Sequence, residues 1–200
     1  MSAAGALSRF AVRNLWCGRK LQPFPRTQFG TFVIEPLSRH RLGAVERLYT
    51  DLSEGRPLNM QQKIALHLLG SRLCLVANDV QKDEVVAITF FYFNARDRKE
   101  GTVHAAFNGI HRAAQGAGLG TFMLQHALEN FARSGLAGVS SRVSLSNVSA
   151  LKTNKKAGFI PVETYFDPFI GEERHYLVCD LSKKQKNRYE EKGHIADGRN

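Results

Sequence analysis

The chain has 200 residues, 43% of them hydrophobic, and sets 28 Lys and Arg against 18 Asp and Glu for a net charge of +10. That size and apolar content suit one folded domain with terminal extensions, and exclude a fibrous or wholly disordered chain. The charge is no mark of a nucleic-acid-binding domain: residues 1–34 hold five cations and no acid, residues 182–200 hold six cations and three acids, and residues 35–181 keep 17 basic against 15 acidic residues.

Residues 1–27 read as a basic N-terminal extension. Ala3, Ala6, Leu7, Phe10, Ala11 and Leu15 share one face of a short helix, with Arg9 and Arg13 turned away. An acid-free, arginine-bearing start of this kind suits a frayed segment, a helix added to the domain, an organellar targeting segment or a membrane surface. Pro23 and Pro25 then interrupt regular structure.

The domain is expected over 28–181. It opens with an alternating strand at 29–34, then a helix with Leu42, Val45, Leu48 and Tyr49 inward, broken at Gly55-Arg56-Pro57. A second helix covers 60–69, a strand 71–77, a turn 79–83 and a longer strand 84–93. The charged stretch 94–100 leads to a strand at 102–110. A helix follows at 119–134, with Leu119, Phe122, Met123, Leu124, Ala127, Leu128 and Phe131 on one face. After it come a strand at 139–145, a helix at 148–157 and strands at 159–166 and 174–181. Residues 182–200 form a polar, basic tail, expected to be disordered. Cys17, Cys74 and Cys179 are too scattered for a disulfide framework and lack metal-ligand spacing, so no metal is expected. Cys74 and Cys179 sit in apolar runs as reduced core residues, which favours the cytoplasm.

Between the strand at 102–110 and the helix at 119–134 lies Gln115-Gly116-Ala117-Gly118-Leu119-Gly120. A glycine-rich turn into a helix presents free backbone N–H groups at the positive end of the helix dipole, a setting for phosphate or pyrophosphate. The glycines are spaced Gly-x-Gly-x-Gly, which fails the dinucleotide fingerprint, and Gly120-Thr121 lacks the lysine of a nucleoside-triphosphate loop. Gln115, Gly118 and Gly120 satisfy Gln-x-x-Gly-x-Gly, which resembles the acetyl-coenzyme-A loop of the GNAT-type N-acetyltransferases. About thirty residues on, Asn147-Val148-Ser149-Ala150 and Lys155-Lys156-Ala157-Gly158-Phe159 resemble that family's Asn-x-x-Ala and Lys-x-Gly-Phe segment. Read from the residues alone, Asn147 caps the helix 148–157 and Gly158 ends it. The resemblance spans about residues 28–181.

The resemblance implies an α/β fold: a mixed, mostly antiparallel sheet of six or seven strands with helices on both faces. It implies acetyl-CoA, or another acyl-CoA, as co-substrate and a small-molecule or peptide amine as acceptor. Gly116, Ala117, Gly118, Leu119, Gly120 and Thr121 would give backbone N–H groups to the pyrophosphate, beside Gln115. The pantetheine arm would pass between the strand before the loop and the strand before Asn147, with Gly109 or Ile110 polarising the thioester carbonyl. The amine would attack directly, without an acyl-enzyme.

Two departures bear on the chemistry. The family often has a glutamate base on the strand before the loop, but no acid occurs here between Gly101 and Leu128. His104 is the nearest replacement, ordinarily titrating near neutrality. Alternation would put His104, Ala106, Asn108 and Ile110 on one strand face, with Asn108 able to hold a water or the acceptor amide. His104 as a strand-end residue at the solvent edge is the plainer alternative. Asn154 stands where many members have a tyrosine that protonates the leaving thiolate. These departures also leave open a non-catalytic acyl-CoA-binding scaffold or regulator. The hairpin at 165–173, with aromatics beside Asp167, Glu172 and Glu173, suits a cationic or amphipathic amine. Membrane contact through residues 1–27 and a homodimer also stay open, and nucleic acid is not expected as a partner.

Overall fold

The structure, a computed structural model, describes residues 3–182, so all but the first residue of the expected tail lies outside the described residues. Eight strands form one sheet in the order β1-β2-β3-β4-β5-β6-β8-β7. They are β1 Thr27–Phe29, β2 Phe32–Pro36, β3 Cys74–Asp79, β4 Glu84–Tyr92, β5 Thr102–Ile110, β6 Gly138–Ser144, β7 Ile160–Asp167 and β8 Glu172–Asp180. Every neighbouring pair is antiparallel except β5 and β6. The count exceeds the expected six or seven partly because the strand read at 29–34 is a hairpin. Gly30, at φ +58, reverses the chain between β1 and β2.

Among the described residues six α-helices accompany the sheet: α1 Ala3–Gly18, α2 Leu42–Leu52, α3 Met60–Leu73, α4 Ala95–Glu100, α5 Leu119–Arg133 and α6 Val148–Ala157. One face of the sheet buries Val45 and Leu48 of α2 and Leu66 of α3 against Cys74, Val76, Ile88 and Phe90. The other buries the apolar stripe of α5 and Ala157 of α6 against Leu75, Ala87, Phe91, Val103, Val139 and Leu177. No helix among the described residues is long and apolar enough to cross a membrane.

The N-terminal segment is strapped to the domain. α1 buries Phe10 and Asn14, and Asn14 brackets Phe93, its Nδ2 donating to the Phe93 carbonyl and its Oδ1 accepting the Phe93 N–H. Beyond α1, Leu21 and Phe24 enter the main core. Arg72 donates to the carbonyls of Arg19 and Leu21, and Asn130 of α5 donates to the Gln22 carbonyl. Of the alternatives weighed for residues 1–27, the structure therefore displays a helix and strap packed on the domain.

Candidate active site

β5 and β6 pair only from Thr102↔Gly138 to Ala105↔Ser141, although both strands continue. Past that point they part. The backbone edges of 106–110 and 142–144 face a cleft of ≈ 580 Å³, closed at one end by the start of α5 and flanked by α6.

The glycine loop arms this cleft. Gly116 and Gly118 take the left-handed conformation at φ +88 and +84, where a side chain would be strained. Gly118 is the N-cap of α5 and offers no side-chain cap. The first backbone bond of the helix runs from the Phe122 N–H to the Gly118 carbonyl. The six backbone N–H groups from Gly116 to Thr121 make no hydrogen bond among the described residues. Such a nest at the positive end of a 15-residue helix is a site for a diphosphate. The charged residues lining the cleft are Arg142, Lys152, Lys156 and Arg174, all cations.

Most residues singled out in the sequence meet here. Gln115, Gly116, Gly118, Leu119, Gly120, Thr121, Asn108, Ile110, Asn147 and Asn154 line the cleft, while Ala117, Gly109 and His104 do not. Their side chains have particular tasks. Gln115 Nε2 donates to the Ile110 carbonyl at 2.9 Å, tying the loop to the end of β5. Asn147 caps α6 by accepting the Ala150 N–H. Asn108 accepts from Thr89 Oγ1 at 2.7 Å and donates to the Gly120 carbonyl, which latches β5 to the first turn of α5. Asn108 thereby positions the strand, with one amide hydrogen and one oxygen lone pair still unspent. Gly109 has no room for a methyl group, because the Phe107 ring and Leu52 Cδ1 crowd its α-carbon.

Asn154 is buried. Its Nδ2 donates to the Ala150 carbonyl at 2.9 Å, and its Oδ1 has no partner. Exchanging the two amide atoms would set oxygen against oxygen, so the free atom is the acceptor. An acceptor suits a pantetheine amide N–H.

His104 is neither at a solvent edge nor on the face of Asn108. The pairing of β4 with β5 runs Phe91↔Ala105 and then Phe90↔Phe107, so Ala106 is an extra residue. This bulge reverses the alternation. It leaves His104 with Tyr92 and Phe107 on the α2 face, and Asn108 on the α5 face. His104 is 4% exposed. Its Nδ1 lies 2.8 Å from Ser140 Oγ, and Ser140 in turn donates to Asp97 Oδ1 at 2.7 Å. The single hydroxyl proton of Ser140 is thus spent on Asp97, so Nδ1 of His104 carries hydrogen and Nε2 keeps its lone pair. Burial pushes the histidine down to about 4; the Asp97 carboxyl opposes this, and Arg142 and Arg174 add to it. The ring is therefore neutral at pH 7, with a fixed tautomer. Asp97 also accepts from Thr102 Oγ1 and, at 3.5 Å, from Tyr176 OH. Sequence reading missed Asp97, Ser140, Arg142 and Arg174; the one signal available was a buried-type aspartate spaced from a helix-capping Asn94.

Cys74 and Cys179 are buried, and no cysteine lines the cleft. Among the described residues no group of three His, Cys, Asp or Glu could hold a metal ion.

Solved structures share this architecture. A putative acetyltransferase from Salmonella typhimurium, solved with its cofactor acetyl-CoA, superposes with a TM-score of 0.61 at 18% identity, over 79% of this chain and 95% of that one. The ribosomal-protein-S18-alanine N-acetyltransferase of Escherichia coli gives 0.59 at 18% identity, over 76% and 94%. A chain of the NatC complex bound to Gag peptide and CoA gives 0.64 at 13% identity, over 76% and 99%. These likenesses establish the fold. No curated protein sequence matches the chain. The sequence pattern of the acetyltransferase (GNAT) family matches residues 41–159, more than half of the chain and the span that holds the splayed strands, the glycine loop and α6. The chain belongs to the acetyltransferase (GNAT) family.

Proposed function

We propose that this acetyltransferase moves an acyl group, acetyl first among them, from coenzyme A to a primary amine by direct attack. The observation that carries this is the set of unspent N–H groups from Gly116 to Thr121, opening into the gap between β5 and β6. The residues fit coenzyme A in three respects: that nest suits a diphosphate, the cleft's charges are all positive, and the orphaned Asn154 Oδ1 awaits an N–H. The thioester supplies an activated acyl carbon. Around it the chain's own groups position and polarise. The free edge of β5 at 106–110 offers main-chain amides, with Ile110, the one of Gly109 and Ile110 that lines the cleft, as the donor to a carbonyl oxygen. His104 Nε2, neutral and aimed by Ser140 and Asp97, takes the proton that the amine loses. No cysteine reaches the cleft to form an acyl-enzyme.

Calorimetry with acetyl-CoA and turnover across a panel of amines test this together. Gly118→Asp should abolish binding, because it sets a negative charge where the N–H groups converge. Gly118→Ala shares the backbone strain but not the charge, about 1 kcal/mol, and should keep measurable affinity. A folded Gly118→Asp protein that binds as tightly as the parent overturns the assignment of the loop. Binding without turnover of any amine would favour a cofactor-binding scaffold.

A further inference from the structure

We infer that the acceptor is a small amine bearing a carboxylate close to its amino group, as in an amino acid, and that Arg142 holds that carboxylate. This rests on the acyl-transfer reading above. On the α2 side of the sheet, α2 packs on β4 and β5, and Arg96 of the short α4 lies over the Tyr176 ring of β8. Register places His104 opposite Ser140, Arg142 opposite Tyr176, and Arg174 opposite both Ser144 and Tyr165. Paired residues share a face, and residues two apart on a strand do as well. His104, Ser140, Arg142, Tyr176, Arg174 and Tyr165 therefore share one sheet face beside the point where the strands part, with Arg142 exposed, Arg174 and Tyr165 half-buried, and His104, Ser140 and Tyr176 buried. With strands about 4.8 Å apart and alternate residues about 6.8 Å apart, the α-carbons of His104 and Arg142 stand roughly 8 Å from each other.

The charges on this surface are unequally satisfied. Arg96 lies over the Tyr176 ring and is neutralised by Glu100 and Glu163. Asp97 is fully buried, its Oδ1 taking three hydroxyl donors and its Oδ2 none. Arg174 is paired with Asp167 and donates to the Arg142 carbonyl, yet its buried Nε has no acceptor, and neither does the buried hydroxyl of Tyr165 across the strand pair. Glu172 sits one step farther out, bonded by Ser146. The Arg142 guanidinium makes no hydrogen bond or ion pair among the described residues and stands 6.0 Å from the centre of the Tyr176 ring. Among the described residues, the face next to the proton acceptor thus carries an unpaired cation and two orphaned donors, and its orphaned acid oxygen, Asp97 Oδ2, is buried. That repels a polycation and leaves a carboxylate to be bound. Of the hairpin acids, which in the sequence suit a cationic amine, Asp167 is turned to Arg174 and Glu172 to Ser146, while Glu173 alternates to the other face of β8.

The test compares the common L-amino acids with their carboxamides, which differ only in the charge. The full chain should acetylate at least one acid with a kcat/KM about tenfold or more above that of its amide. Arg142→Ala should erase this preference by raising KM for the acid about tenfold or more relative to that for its amide, and Arg142→Lys should restore part of it. Amides preferred throughout, as for a peptide N-terminus, or an unchanged preference in Arg142→Ala, overturns the inference while the transferase reading stands. Should no amine turn over, titration of acetyl-CoA-free protein with the N-acetyl derivatives of the same acids and amides reads the site directly. Acid-selective binding lost in Arg142→Ala supports the inference, and no selective binding overturns it.

Discussion

His104, Ser140 and Asp97 form a line of hydrogen bonds that no one of them announces in the sequence. Their pH behaviour follows from burial. Unfolded, His104 titrates near 6.5; folded, it is pushed down to about 4, since burial disfavours the cation more than Asp97 favours it. Between those values the unfolded chain binds a proton that the native protein does not. The stability linked to this residue is therefore complete above about pH 6.5, declines as the pH falls, and is exhausted below about pH 4. Urea unfolding of the parent and of His104→Gln at pH 7 and pH 5 should show a smaller acid loss in the variant, even if the variant is weaker at both. In catalysis the same shift means that His104 contributes no inflection near neutrality. His104→Ala should lower kcat about ten- to ten-thousandfold with no change in the shape of the profile between pH 6 and 8. A fully active variant would return the histidine to a structural role.

Among the elements, those with a period were legible and those without one were not. The stripe of α5 declared itself, and α6 was readable from Asn147 and Gly158 at its ends. α4 was not, because its single buried residue is Asp97, whose burial depends on Thr102, Ser140 and Tyr176 from three other strands. The bulge at Ala106 escaped for a related reason. Alternation read along one strand has no knowledge of an unpaired residue, so His104 and Asn108 were placed together and the structure parts them. The cofactor loop was legible because backbone geometry alone makes its glycines necessary, whereas Arg142 is one exposed arginine until its lack of a partner is seen.

The N-terminal strap likewise carries no periodic signal, and the sequence alone suggests that residues 27–182 suffice. Removing 1–26 from the structure strips Phe10, Leu21 and Phe24 from the core, and deprives Arg72, Asn130 and the Phe93 N–H of their partners. Truncating a buried phenylalanine to alanine costs about 3–5 kcal/mol, and domains hold only about 5–15 kcal/mol in total. The 27–182 chain should therefore be largely unfolded by circular dichroism, while a chain lacking only residues 1–5 should melt within a few degrees of the parent. A cooperative, undiminished melt for 27–182 would show that the strap is ornamental.

Across the whole molecule, the sheet is continuous except where catalysis needs it open. Only four residue pairs join β5 to β6, so the half built on β1–β5 meets the half built on β6–β8 through a short zip, the Asp97 cluster and the helices packed behind. Past Ala105 and Ser141 the two free strand edges lack the partners that shield backbone amides elsewhere, and local opening there costs little of the global stability. A ligand whose amides bond both edges and whose phosphates collect the loop N–H groups would supply those missing partners. At a hundred times its Kd it also adds about 2.7 kcal/mol to the folded state. Hydrogen exchange followed by mass spectrometry should then show a specific pattern on adding acetyl-CoA. Protection should rise most in peptides covering 106–121 and 142–154. β3 and β4 should change little at short times, their ladders being already complete. The hairpin at 165–173 should change only when an acceptor or its acetylated product is also present, since it borders the surface around Arg142 and Arg174. Protection confined to that hairpin, or spread evenly over the chain, would place the cofactor elsewhere and dissolve the link drawn between the splayed strands and the chemistry.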